Sequence, residues 1–247
     1  METKQAYISQ LQNRRQLKDT TMNAYLSRAV KAGTMERIRQ SVYALPGHEN
    51  KYACAALAVP DGVICYHSAL EYHQLQTQVF TYVQIGSKAR FRDFAFKNQE
   101  YKRVPLVNGP GIYTVKQEGV TIMITALERT LVDCIDRPDL CAGYEEIGKA
   151  FEMLRPGDLD YSLLTKCLEH HNKKTLWKKC GYIFDRYDIE TGCPKSFLDL
   201  CRERAGNVYI TMGSPLYVRY NAKWNLMAPR DMEEMTSNGI EYGIIPT

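Results

Sequence analysis

Asn23, Ser27, Arg28 and Lys31 recur three and four residues apart. On a helix that spacing gathers them on one face. These side-chain types bond base edges and phosphates in the major groove of duplex DNA. Arg37 and Arg39 follow, two apart as along one face of a strand. Beside a polar helix they would hold the phosphate backbone or the adjacent minor groove. Thr21 sits at the head of the helix, in a run Asp19-Thr20-Thr21 with N-cap chemistry, and is taken with the DNA-facing set.

Other groupings point to chemistry less well. Glu100-Tyr101-Lys102 is an E-x-K, but the Pro138-Asp139 pair of a metal-dependent nuclease follows it instead of preceding it. Asp133, Asp136 and Asp139 lie three apart, which a divalent cation could use. More simply, Asp133 pairs with Arg129 at i,i+4, and Asp136 and Asp139 flank a turn at Pro138. Cys65, His67 and His73 offer metal ligands without a fourth at telling spacing. His170-His171 suits a helix C-terminus. Trp177, Tyr182, Phe184 and Tyr187 alternate with Lys173, Lys174, Lys178 and Lys179, which reads as a core face with a solvated back. No phosphate-binding glycine loop and no nucleophile elbow is present. The expectation is a non-enzymatic chain without metal or cofactor.

The elements that must position the DNA-facing residues follow from periodicity. Residues 3–18 read as a helix that must break near Asn13 if a full helix-turn-helix is to form. A second helix, MNAYLSRAVKA, buries Met22, Tyr25, Leu26, Ala29 and Val30 and stops at Gly33. Met35–Ile38 and Val42–Leu45 read as two strands about an Arg39-Gln40-Ser41 turn. Helix then hairpin is the order of a winged helix-turn-helix. The polar, turn-rich segment 48–51 reads as a hinge, dividing a 1–47 DNA-binding domain from a 52–247 body.

In the body, residues 51–59 read as a helix, 63–66 as a strand, and Ser68 as the cap of the helix ALEYHQL. Strands are expected at 79–85, 91–96, 101–104 and 112–115. A hairpin turns at Glu118-Gly119 into VTIMI. Thr125 and Glu128 read as a capping box for a helix whose Leu127, Leu131, Val132 and Ile135 face the core. Four further helices (144–154, 159–171, 174–187 and 194–204) precede an extended tail. The fold class is α+β.

The 247 residues carry 32 Lys+Arg against 28 Asp+Glu. Residues 1–49 hold 8 of these bases and 4 acids, and the other 198 residues hold 24 of each. A basic amino-terminal fifth on a neutral remainder suits a polyanionic partner. With 45% hydrophobic and 24% charged residues the composition is that of a globular protein. The longest apolar run, 53–59, falls far short of the ~20 residues that span a bilayer. The first residues, METKQAYISQLQNRRQL, lack the apolar stretch of a signal peptide. A cytoplasmic protein without membrane contact is expected. Eight cysteines without a C-x-x-C pair read as reduced, buried thiols.

Several segments carry a family resemblance: GTMERIRQSVYALPG (33–47), DGVICYHSALEYHQL (61–75), VTIMITALERTLVDCIDRPDLCAGYEEIGKAF (120–151), GYIFDR (181–186) and NAKWNL (221–226). Together they resemble AbiEi-type antitoxins. The 125–143 stretch is the most specific, and Glu128, Arg129, Thr130, Asp133 and Asp136 are its polar signature. The resemblance implies an N-terminal winged helix-turn-helix followed by a mixed α/β antitoxin-type domain. It implies a transcriptional repressor that binds inverted repeats in double-stranded DNA and autoregulates a type IV toxin–antitoxin operon linked to phage defence. It further implies that the larger domain counters an AbiEii-like, nucleotidyltransferase-type toxin, a stable complex not being required. A solitary transcriptional regulator, or a protein-interaction module, without a toxin partner is the alternative. Two departures stand out: Ser41 replaces the usual wing glycine, and the N-terminal helical region is short.

Overall fold

The computed structural model describes residues 19–106, 108–213 and 218–229. The helix expected at 3–18, with its break near Asn13, lies outside them. The chain is α+β and forms two compact units, each assembled from separated segments. Of the described residues the first takes 19–65, 80–106 and 113–124; the second takes 66–79, 108–112, 125–213 and 218–229.

The first unit opens with α1 (Asp19–Lys31) and the antiparallel hairpin β1 (Glu36–Arg39) and β2 (Val42–Ala44). Helix α2 (Lys51–Ala58) follows, then a six-stranded sheet. Its strands are β3 (Val63–Ile64), β4 (Tyr82–Gly86), β5 (Phe94–Phe96), β6 (Gln99–Val104), β7 (Ile112–Gln117) and β8 (Val120–Thr125), in the order β5-β6-β4-β3-β8-β7. Strands β4 and β6, and β3 and β8, pair parallel. Ile64 lies opposite Ile85 on one side and Ile124 on the other, so the middle of the sheet is apolar. Strands β7 and β8 are joined at Glu118 and Gly119, with φ of 50° and 75°. Positive φ at both central residues gives the hairpin the twist its strands require.

The segment 48–51 is no hinge. Asn50 caps α2, its Oδ1 accepting from the amides of Tyr52 at 2.9 Å and Ala53 at 3.0 Å. The Asn50 amide itself donates to Glu118 at 3.1 Å, and His48 Nδ1 lies 3.2 Å from the same carboxylate. Lys97 Nζ donates to His48 O and to Glu49. Turn-forming composition marked this stretch as a linker, yet its polar groups are bound to the β5–β6 and β7–β8 turns. Helix α2 also packs against β1, β2 and β4. The boundary expected at 47 therefore runs through the interior of one unit.

The second unit holds α3 (His67–Tyr72), α4 (Leu127–Asp136), a 3-10 turn (Pro138–Leu140), α5 (Gly143–Glu152), α6 (Tyr161–His171), α7 (Lys174–Arg186), the single turn α8 (Asp188–Thr191) and α9 (Lys195–Ala205). A small sheet, ordered β10-β11-β9, closes it with β9 (Ile210–Thr211), β10 (Val218–Asn221) and β11 (Leu226–Pro229). Phe151, Tyr161, Phe184, Tyr187 and Phe197 form a chain of ring contacts through the core. Trp177, Tyr182 and Lys178 are buried too, so the aromatic–basic helix is mainly a core element. Lys178 Nζ donates to Val208 O and sits 3.4 Å from Asn225 O.

The segments 181–186 and 221–226 meet here. A Cβ on Gly181 would lie 2.3 Å from the Trp224 ring, so only glycine admits that side chain. Asp185 accepts from Trp224 Nε1 at 2.8 Å and from Lys223 at 2.6 Å. Ser68 is a buried residue inside α3, not its cap. All eight cysteines are free thiols, seven of them buried. Among the described residues no helix is long and apolar enough to cross a membrane.

Buried Glu146 ties down the segment after α3. It accepts from the Thr77 hydroxyl at 2.7 Å and from the amides of Thr77 and Gln78, with His67 Nε2 at 3.7 Å. Burial alone would push its carboxyl up. The nearby His67 ring and the hydrogen bonds from Thr77 and Gln78 outweigh that and bring it down to about 2. A carboxyl depressed by folding stabilises fully above its ordinary range, and the stability is lost as pH falls towards the folded value. Unfolding followed from pH 6 to 2 is expected to show a loss concentrated below about pH 5. Glu146→Gln is expected to be less stable at neutral pH and to flatten that limb. An acid limb as steep as in the parent would refute the assignment.

Candidate nucleic-acid interface

Helix α1 repeats DTTMNAYLSRAVK over 13 residues. Met22, Leu26 and Ala29 are buried, and with Met35 they form a small core against which Val30 and Tyr43 pack. At ~100° per residue these positions make a single stripe. Thr21, Asn23, Ser27, Arg28 and Lys31 are exposed on the remaining surface, as their spacing predicts. Tyr25 falls at the edge of the stripe and is 38% exposed, against its expected burial. Residues 19–21 are already helical where a cap is expected, which puts Thr21 within the helix. Arg28 Nε donates to Ala24 O at 3.3 Å, one turn back.

The helix ends as its sequence dictates. Gly33 has φ +70°, and its amide bonds Val30 O. The Thr34 amide and hydroxyl both donate to Ala29 O, at 3.0 and 3.1 Å. That sharp turn drops Met35 onto the α1 core and starts the hairpin.

Strands β1 and β2 are joined by Gln40 and Ser41 alone, with Arg39 opposite Val42. Ser41 takes φ +65°, the conformation a glycine would adopt without strain. The missing glycine therefore leaves the turn tight. Arg37 is exposed opposite Tyr43. Directly paired residues share a face of the hairpin, and Tyr43 packs on the α1 core. Arg37 therefore stands on the side of the hairpin that meets the helix. Arg39 departs from the expected set: it is half-buried, and its Nε donates to Ala58 O of α2 at 2.7 Å. It braces the hairpin, so Arg28, Lys31 and Arg37 are the basic residues left facing solvent.

The polar signature of α4 lies in the second unit and is mostly interior. Arg129 and Asp133 are 0% and 2% exposed. Arg129 Nε bonds both carboxylate oxygens at 2.8 Å, and its Nη1 donates to Pro110 O at 3.0 Å. His171 Nε2 reaches Asp133 at 2.8 Å, so the second of the two helix-end histidines completes a buried triad. The expected capping box does not form. Thr125 ends β8, its hydroxyl 2.7 Å from that of Thr130, and Ala126 occupies the cap position. Glu128 instead accepts the Asp160 amide at 2.8 Å, and Asp160 caps α6 through the amides of Ser162 and Leu163. Asp136 pairs with Lys173 at 2.6 Å. Glu128, Arg129, Thr130 and Asp133 thus organise the helical core from within. Among the described residues no three His, Cys, Asp or Glu side chains are grouped to hold a metal ion. Glu100 and Lys102 of the E-x-K stand 3.5 Å apart on β6.

No known family model matches the chain, and no curated protein does. Among solved structures it is similar to the Rv2827c protein of Mycobacterium tuberculosis, at 12% identity and a TM-score of 0.63, over 96% of this chain and 88% of that one. At that identity the likeness is one of fold.

Proposed function

We propose that the chain is a DNA-binding transcriptional repressor of the AbiEi antitoxin type. In this reading α1 is the recognition helix of a winged helix-turn-helix and the β1–β2 hairpin is its wing. The observation that carries it is the division of α1. One stripe is closed by its own small core, and the opposite surface presents Asn23, Ser27, Arg28 and Lys31 beside the exposed Arg37. Asn23 and Ser27 read base edges; Arg28, Lys31 and Arg37 hold phosphates. The second unit supplies the activity against a nucleotidyltransferase-type toxin, by the resemblance of 120–151, 181–186 and 221–226. The chain acts in the cytoplasm, without cofactor and without catalysis.

The test is retardation of the DNA upstream of its own gene. Three phosphate contacts give a slope of log K against log salt of about −2.7 or steeper. From 50 to 200 mM salt the affinity is then expected to fall at least about 40-fold. The variant R28A/K31A/R37A is expected to flatten the slope by about 2.7. No retardation at low salt defeats the reading. The toxin arm is tested by co-expression with the adjacent gene, where growth arrest that the chain does not relieve counts against it.

A further inference from the structure

The folded units divide the charge more sharply than the sequence order does. Among the described residues the first unit carries 12 Lys and Arg against 7 Asp and Glu, and the second 15 against 16. Beyond residue 49 the first unit holds 8 of these bases against 4 acids, and the stretch SKARFRD at 87–93, which joins β4 to β5, has three of the bases and one of the acids. Lys88, Arg90 and Arg92 are exposed there, and among the described residues none is paired with a carboxylate.

This loop is held in place, and it is held beside the wing. Asp61 Oδ2 accepts from Ser87 Oγ at 2.9 Å and from the Ala89 amide at 3.2 Å. Arg103 donates to Ser87 O and Ala89 O, both at 3.3 Å, and its own amide donates to Asp93 at 2.9 Å. The two nearby acids, Asp61 and Asp93, are therefore turned to backbone and hydroxyl donors, and neither forms an ion pair with Lys88, Arg90 or Arg92. The wing is fastened to the same short turn: Arg39 bonds Ala58 O, three residues before Asp61. Strand β1 also packs beside β5, the strand into which the loop runs. At its other end Glu36 lies 3.6 Å from Lys97, which follows β5.

We infer that Lys88, Arg90 and Arg92 form a second phosphate-gripping element, extending the duplex-binding surface from the wing along the edge of the sheet. A three-pronged basic loop with alternating small or apolar residues suits a backbone contact, which needs charge and reach but no base recognition. Its ligand is the phosphate backbone of the same duplex, just beyond the segment under the wing. The inference rests on the DNA-binding reading above.

The experiment is a salt titration of duplex binding with the full chain, using a duplex from its upstream region. It compares the parent, R28A/K31A/R37A and K88A/R90A/R92A, with hydroxyl-radical footprints of each complex. Six phosphate contacts give the parent a slope of about −5.4. The loop variant is expected to lose about 2.7 of it and the protection on one flank only. A loop variant with the parental slope and footprint overturns this inference and leaves the wing reading intact. A parent that binds no duplex overturns both. Binding that is lost with R28A/K31A/R37A but keeps its salt slope with K88A/R90A/R92A confines the interface to helix and wing.

Discussion

Replacing Asp133 by alanine is expected to destabilise the protein by about 3–5 kcal/mol, because it leaves a guanidinium in the interior without its counter-charge. Arg129 is fully buried and bonds both oxygens of Asp133 at 2.8 Å. The same carboxylate takes His171 from α6 and so links two helices. Removing it strands a cation and a ring nitrogen together. Urea unfolding monitored by circular dichroism measures the loss. The double variant R129M/D133L provides the control. Replacing both partners by apolar groups of similar volume removes the charge together with its partner, and is expected to cost far less than D133A alone. Equal losses would mean that the energy lies in packing and not in the ion pair.

Leu26→Ala acts on the candidate interface without touching any polar residue in it. Leu26 is fully buried in a core that otherwise consists of Met22, Ala29 and Met35, with Val30 and Tyr43 at its edge. A leucine truncated in a core costs about 2–5 kcal/mol, most where the surroundings cannot collapse into the void. A cluster this small has few side chains with which to close it. The α1 amides are expected to exchange with solvent much faster, and retardation of the upstream DNA to be lost. Arg28, Lys31 and Arg37 remain in place in this variant. Full DNA affinity together with fast exchange would show that an ordered α1 is not what binds.

The local pattern was legible where neighbours in sequence decide the outcome. The stripe of α1, its stop at Gly33, the Glu118-Gly119 hairpin and the four long helices after 143 all follow from periodicity and turn chemistry. The exposed set Thr21, Asn23, Ser27, Arg28, Lys31 and Arg37 was legible for the same reason. What escaped depends on partners far along the chain. Glu128 has the spacing of a cap for its own helix, yet it bonds an amide at Asp160. Arg39 alternates with Arg37, yet a register irregularity between them and the nearby Ala58 carbonyl turn it inward. Segment 48–51 has the composition of a linker, and only the fold supplies Glu118 and Lys97 to pin it. One missed signal was available: Lys88, Arg90 and Arg92 stand two apart in a single run.

The chain leaves its first unit after residue 65, returns at 80, leaves again after 106, returns at 113 and departs finally after 124. No single break in the gene can separate the two bodies. Recombination at one point between 65 and 119 would split a β-sheet instead of trading a module. Exchange of one unit for a foreign one needs several junctions at once. Whatever the two halves do, a single crossover cannot pass one of them on without the other.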